Sequence, residues 1–490
     1  MKWEPQDERT DFTVALDIGT TKVCAIAGRR NDLGQVEILG YGRVGGDGVQ
    51  RGVVTNIDKT VKAIREAVER AERQVGHAIQ TVNVGIAGQH IASRQNHGMI
   101  TRDDDIAEIT QLDCDELVNS MRRLPLKPGE EILHIIPQDY CVDDEWGITE
   151  PIGMCGTRLG ANFHIITCQN SASKNIMRCV EKAQLAVSDL TLEPIASAAS
   201  VLTEADKRDG VVLVDIGGGT TDLTIFADGV ISHTCVLPFG GDVITSDIRK
   251  IFRITKADAE DLKTRFGNAL VGEANATRFI RIANRRGEEY TEISEVELAE
   301  VIQARMEEIL KYVDFQIGAS DTRDRLQGGI VLTGGGSLLK NLEKLTEYYT
   351  GIPTRAGLPV EHLAQGYDAE LGSPIFSTSI GLLIGGIERQ RRQCVTEAAL
   401  AAAIPAGPSL APSAPTTDTG LVASPAHAPA GGALAATAAD GVIVDAAAAP
   451  RGTDAAEAGS AVETWLNRTG SRLLSSVKTW FDGEEEREMI

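Results

Sequence analysis

The chain has 490 residues, 42% of them hydrophobic and 24% charged, enough for two or more domains that each bury a core and too many for a small stapled scaffold. A formal net charge of −22 with no Lys/Arg-rich run excludes a nucleic-acid footprint, because such a surface repels phosphate backbones. Eight cysteines without a CxxC pair and eight histidines without HxxxH or HExxH spacing exclude the usual zinc patterns, and lead us to expect reduced, mostly buried thiols.

In chain order, Met1–Arg9 is charged and lacks an apolar signal core, and no stretch approaches the ~18 apolar residues of a spanning helix, so a cytosolic protein is expected. The run Phe12–Leu16 predicts a strand that ends in Asp17-Ile18-Gly19-Thr20-Thr21-Lys22, and Val23–Ile26 predicts the strand returning from it. A helical period covers Thr60–Val75. Nearly two hundred residues after the first turn the pattern recurs. Val211–Val214 leads into Asp215-Ile216-Gly217-Gly218-Gly219-Thr220-Thr221-Asp222, followed by Leu223–Phe226. Such an echo implies a duplicated domain with two facing loops. A third glycine-rich turn, Gly334-Gly335-Gly336, follows the apolar run Ile330–Leu332 and precedes a helix. Strands alternating with helices to about residue 396 indicate an α/β fold.

Composition then changes. Residues 397–460 are dominated by Ala, Pro, Gly, Ser and Thr, without an aromatic residue. They cannot bury enough apolar surface to offset their ordering entropy and read as a disordered linker, with a root-mean-square reach of roughly 40–50 Å. Residues 461–482 restore a strong helical period. Trp465, Leu466, Leu473, Leu474, Val477, Trp480 and Phe481 share one face, with Arg468, Arg472 and Lys478 opposite. An acidic tail, 483–490, closes the chain.

The residue types in the two echoes suit phosphate binding. Glycines let backbone N–H groups approach a phosphate, the hydroxyls of Thr20, Thr21, Thr220 and Thr221 add donors, and Lys22 places a point charge on the β- or γ-phosphate. A carboxylate beside phosphates needs an intervening cation, so Asp17 and Asp215 are assigned to Mg²⁺, held through its waters. Two tight hairpins with Asx-type turns are the bland alternative.

Together these signatures resemble the superfamily of actin, the DnaK chaperones and the sugar kinases. Phosphate-1 corresponds to Asp17–Lys22, connect-1 to Leu192–Ser200, phosphate-2 to Asp215–Asp222, the adenosine loop to Gly334–Gly336 and connect-2 to Ser373–Gly385. That resemblance implies ATP as ligand and Glu193, in Leu192-Glu193-Pro194, as the residue that positions the attacking water. A helix-start glutamate before Pro194 is the alternative. By the same resemblance Glu260 and Lys263 touch the nucleoside, although an exposed i,i+3 pair would look the same.

Within the superfamily, Val82–Ile91, Leu133–Tyr140 and Gly153–Gly156 resemble the FtsA family of bacterial division actins, over about residues 11–390. The implied organisation is an actin-like duplicated ATPase domain with a relocated insertion. Subdomain 1A takes residues 1–86, 167–200 and 360–396, the inserted subdomain 1C 87–166, 2A 201–252 and 315–359, and 2B 253–314. FtsA resemblance further implies an adaptor on the cytoplasmic face of the inner membrane at the division site, with self (as a filament), membrane lipids, the FtsZ C-terminal peptide and other divisome proteins as partners. It implies at most slow ATP hydrolysis, with ATP binding mainly controlling assembly. The segment 461–482 matches in kind the family's membrane-targeting helix, while the long linker and acidic tail depart from the family pattern. Two alternatives remain. The first is an ATPase or kinase of the superfamily: a chaperone-type ATPase would need a β-rich substrate domain that residues 397–490 cannot form, and a kinase a sugar-binding cleft with a catalytic Asp beyond the phosphate loops, which the sequence does not locate. The second, a pilus-assembly actin homologue, would lack the terminal helix.

Overall fold

The computed structural model describes residues 12–102, 107–283 and 290–403. The 397–460 linker beyond Ala403, the 461–482 helix with its membrane-facing residues, and the 483–490 tail lie outside the described residues.

Five strands make the first sheet, in the order β11-β6-β1-β2-β3. β1 (Thr13–Ile18), β2 (Lys22–Arg30) and β3 (Val36–Gly45) form an antiparallel meander, while β6 (Thr81–Ile86) and β11 (Ala186–Leu192) add in parallel beyond β1. A short ribbon, β4 (Val49–Gln50) with β5 (Val53–Val54), leads to α1 (Ile57–Val75). The helix starts ahead of the Thr60 read from its period because the Asn56 side chain caps the Lys59 N–H, and it stops at Gly76, which is left-handed at φ 78°. Every residue of β1 is buried, which explains its unbroken apolar run: helices cover both faces. Val14, Leu16 and Ile18 pack on one face with α1 and with α3 (Asn170–Lys182). Ala15 packs on the other with Ile380 and Leu383 of α10 (Ser377–Ala403).

The second sheet repeats the first strand for strand, in the order β14-β13-β12-β17-β18. β12 (Val211–Ile216), β13 (Thr221–Ala227) and β14 (Val230–Leu237) are the meander, and β17 (Ile330–Thr333) and β18 (Thr354–Ala356) are the parallel additions. The duplication implied by the two Asp-Gly-Thr turns is thus present in the topology. On one face, α6 (Gly241–Phe252), α7 (Lys256–Phe266), α8 (Glu295–Ala319) and α9 (Leu342–Thr350) share a core with Val212, Val214 and Ile216. Ahead of α8, whose Ser294 and Glu297 form a capping box, stands the hairpin of β15 (Phe279–Ala283) and β16 (Tyr290–Ser294).

Between the two sheets lies α4 (Glu193–Val201), which turns Ala196 toward the first and Ala198 and Val201 toward the second. It crosses α10, the longest helix among the described residues. α10 runs to Ala403, past position 396 where the folded pattern was expected to end, because alanine is the best helix former and the first residues of the Ala-rich stretch extend the helix at little cost. After α4, α5 (Glu204–Asp209) leads into β12.

A separate antiparallel sheet, β7-β10-β8-β9, interrupts the first half. It comprises β7 (Ala92–Thr101), β8 (Glu130–Val142), β9 (Glu145–Ile148) and β10 (Arg158–Gln169), with α2 (Gln111–Met121) burying Cys114, Leu117 and Met121 against Leu159, Ala161 and Phe163. This inserted sheet reaches the second half as well. Gln95 and Gln138 donate to the carbonyls of Ser232 and Ile231, Ser93 donates to that of Thr234, and His164 Nε2 lies 2.6 Å from Thr234 Oγ1. All three partner residues sit on β14, whose edge is thereby covered. All eight cysteines are free thiols, five of them buried.

Candidate functional site

β1 and β12 each carry an aspartate as their last residue but one, at the same place in the two sheets, so the duplicated topology brings Asp17 and Asp215 to one cleft of about 350 Å³ between the halves. The two turns have the same closure: Gly19 N donates to Lys22 O and Gly217 N to Thr220 O, each at 2.9 Å. They are hairpin turns, as the strand–turn–strand pattern implied. Their tips meet, since a Cβ on Gly218 would overlap Thr21 and one on Gly219 would overlap Thr20. The third turn closes one end. Gly334 has φ 80°, and a Cβ there would collide with Asp215 Oδ1, so both its backbone conformation and its contact require glycine.

Both aspartates are buried and held in a common manner. Asp17 Oδ2 accepts from Lys22 Nζ at 2.5 Å and from Ser379 Oγ at 2.8 Å. Asp215 Oδ2 accepts from Ser197 Oγ at 2.6 Å and from Thr378 Oγ1 at 3.2 Å. Thus α4 and the first turn of α10 position the two carboxylates from below. Burial, the largest single effect, would lower the Lys22 pKa, but Asp17 together with Cys24 and Asp215 outweighs it and holds the ammonium above its usual value. Burial pushes the Asp215 carboxyl up against the pull of Ser197 and Lys22.

Glu193 opens α4 directly before Pro194, and its side chain lines the cleft, so it is a helix-start residue and a site residue together. Its carboxyl is driven well above the usual range by burial, then by Asp17, Asp222 and Asp215, with Lys22 opposing. At the rim, Lys263 Nζ reaches the Gly241 carbonyl at 3.0 Å, Thr245 Oγ1 at 2.8 Å and Glu260 Oε2 at 2.8 Å. Glu260 and Lys263 are an i,i+3 ion pair and line the cleft as well. Thr20, Thr21, Gly217, Thr220, Gly335 and Gly336 are among the residues of its walls.

Thr221 is a correction. It does not line the cleft: it is the fully buried first residue of β13, and its hydroxyl donates to the Phe239 carbonyl at 2.8 Å. Alternation along the strand sends its side chain away from Thr220, into the connection that leads to α6.

Residue-type reasoning passed over Ser197, Thr378, Ser379 and Asp222. A signal existed for two of them. Ser197 stands at i+4 from Glu193 on α4, hence on the same helix face. Asp222 is the cross-strand partner of Asp215 once the hairpin register is drawn. A second, more open hollow of about 570 Å³ over β3 and α1 carries guanidinium groups that are already engaged: Arg43 with Glu370, Arg70 with Glu66, and Arg73 with the Glu69 carbonyl.

The family model described as "Cell division protein FtsA" matches residues 212–381, and that described as "SHS2 domain inserted in FTSA" matches residues 88–167. The "Cell division protein FtsA" of Pseudomonas aeruginosa is 40% identical over 377 residues, covering 77% of this chain and 89% of its own. That of Escherichia coli K12 is 35% identical over 384 residues, covering 77% and 90%. A solved chain of the PilM–PilN type IV pilus biogenesis complex aligns with a TM-score of 0.56 over 77% of this chain and 99% of that one; at 16% identity the likeness concerns the fold alone. With relatives this similar over most of their own length, and an actin-like fold carrying the SHS2 insertion, the chain belongs to the FtsA family of cell division proteins.

Proposed function

We propose that the cleft binds ATP with Mg²⁺, and that the protein assembles into filaments on the cytoplasmic face of the inner membrane and tethers FtsZ filaments there at the division site. The observation that carries the nucleotide reading is the pair of like turns whose aspartates each receive their side-chain donors on Oδ2. That arrangement leaves a second oxygen of each carboxylate for the waters of a hard cation, which fits Mg²⁺. Mg²⁺ would neutralise the charge between phosphates and carboxylates. Gly19, Thr20, Thr21, Gly217, Gly218, Gly219 and Thr220 would hold the phosphates, Lys22 would add its charge, and Gly334–Gly336 with Glu260 and Lys263 would bound the nucleoside. Glu193 would orient water, with slow turnover, so that bound ATP serves chiefly to hold an assembly state.

Membrane residence rests on the sequence of 461–482. Residues 463–481 carry a net charge of +2, but 463–490 carry −2, so insertion of Trp465, Leu466, Leu473, Leu474, Val477, Trp480 and Phe481 has to dominate over attraction to anionic lipid. One such helix binds weakly, and a filament presenting many gains avidity. For the FtsZ C-terminal peptide the proposed dock is subdomain 2B, residues 253–314, where Phe279 and Tyr290 stand exposed on the β15–β16 hairpin.

Co-sedimentation with liposomes in ATP, comparing the full chain with a chain ending at Ser460, tests the tether. The full chain is expected to pellet and the shorter one to stay in solution; equal pelleting overturns the reading.

A further inference from the structure

α4 begins without a side-chain cap of its own. Its N-cap residue, Leu192, has no side-chain oxygen to offer, and Pro194 follows within the first turn. The first N–H groups of a helix have no partner inside it and must find one elsewhere. Leu192 also ends β11, the edge strand of the first sheet, so no further strand of that sheet can supply the partner. It comes from the insertion. The Leu192 N–H donates to Nε2 of His134, on β8, at 3.0 Å. The same strand reaches both halves around this point: Leu133 packs against the core of the first, Ile136 against the cluster that holds Ala198 and Val201 of α4, and Gln138 donates to the Ile231 carbonyl of the second.

The residue after Leu192 is Glu193. Its side chain lies over Gly85 of β6, where a Cβ would stand 3.0 Å from Glu193 Cγ and 3.2 Å from Oε1. Contact thus bounds the carboxyl on one side, and the backbone from which it springs sets the rest of its position. We propose that His134 is a positioning residue: by accepting the Leu192 N–H it fixes the start of α4, and with it the place of the Glu193 carboxyl in the cleft. The inference rests on reading the cleft as a nucleotide site in which Glu193 orients water. His134 does not itself line the cleft, so its action runs through the backbone. Only a neutral imidazole with its proton on Nδ1 can accept at Nε2. Its surroundings keep the ring neutral, since burial above all lowers the His134 pKa from 6.5 to about 4, with Asp189 opposing and Arg389 adding to the shift. Displacing a reacting group by about 1 Å through a change outside the site can cost on the order of 100-fold in rate, so a small shift of this helix start is enough to be measured.

The test compares full-chain wild type, His134→Leu, His134→Gln, Glu193→Gln and the His134→Leu/Glu193→Gln double variant in Mg²⁺, by affinity for a fluorescent ATP analogue and by single-turnover phosphate release from ATP. His134→Leu is expected to keep affinity within about threefold and to slow release about tenfold. His134→Gln, whose Oε1 can accept where Nε2 does, should recover most of that loss. In the double variant the leucine should slow release no further than Glu193→Gln alone, because it acts only through Glu193. Unchanged release in His134→Leu, an equal loss in both His134 variants, or losses that multiply in the double variant overturn the proposal. Should the leucine variant not fold, His134→Asn, whose amide reaches only as far as Nδ1, takes its place with the same expectation. If the wild type binds no analogue, or releases phosphate no faster than Glu193→Gln, the reading of the cleft falls, and hydrogen exchange of the Leu192 amide in nucleotide-free protein decides on His134. Exchange about tenfold faster in His134→Leu than in the wild type and His134→Gln supports the hold on α4, and equal exchange overturns it.

Discussion

Gly381 of α10 lies against Ala196 of α4 so closely that a Cβ on Gly381 would overlap the Ala196 carbonyl oxygen. The two helices that join the halves therefore cross backbone to backbone, directly beneath the hydroxyls of Ser197, Thr378 and Ser379 that hold the cleft aspartates.

Replacing Gly381 with alanine sets two effects against each other. Helix propensity favours alanine by ~1 kcal/mol, whereas forcing a methyl into a packed contact costs about 1–3 kcal/mol. Because the obstacle is backbone, the second effect wins. Gly381→Ala is expected to lower stability by up to ~2 kcal/mol net in denaturant melts and Gly381→Val by more; an unchanged midpoint in both variants would show that the helices part freely.

Thr220 and Thr221 are adjacent hydroxyls with different roles. Thr220→Val removes a cleft donor and is expected to weaken nucleotide binding about five- to tenfold, the equivalent of one hydrogen bond. Thr221→Val breaks the bond to the Phe239 carbonyl and should cost ~1 kcal/mol of stability with affinity intact. Titration and melting of both variants check the division, and the reverse pattern would refute it.

Glu193→Gln keeps shape and removes the proposed base. Nucleotide affinity is expected to stay within about threefold while single-turnover phosphate release falls ~100-fold. Because burial and then Asp17, Asp222 and Asp215 raise the Glu193 pKa, wild-type release should decline as pH falls through that raised value, and the Gln variant should lack this limb. Equal rates in the two proteins would remove Glu193 from the chemistry.

His164 joins the inserted sheet to Thr234 of β14, and burial, with a smaller push from His233, lowers its pKa from 6.5 to about 4. A folded-state pKa below the unfolded one means that the unfolded chain binds the proton first. Stability is thus fully present above pH 6.5 and lost as pH falls toward 4. Between pH 7 and pH 5 this residue should contribute a loss of about 1–2 kcal/mol. His164→Gln should be less sensitive over that interval, and melts at the two pH values compare the variants; an unchanged pH dependence would show that His164 does not drive it.

Local pattern alone determined the two hairpins, because strand, Asp, glycines, hydroxyls and returning strand are contiguous and each residue's requirement for a turn or a phosphate acts at short range. The echo determined the duplication, and the motifs between Val82 and Gly156 the family. Residues that act through distant partners were illegible: Ser379 meets Asp17 across 362 positions and Thr378 meets Asp215 across 163. Nothing local marks a serine on α10 as a ligand of β1. Tertiary structure also separated Thr220 from Thr221, since the strand's alternation points them to opposite sides. It set Asp222 facing Asp215, since register decides which side chains share a face. Pattern places the loops; only packing decides which of their side chains reach the cleft.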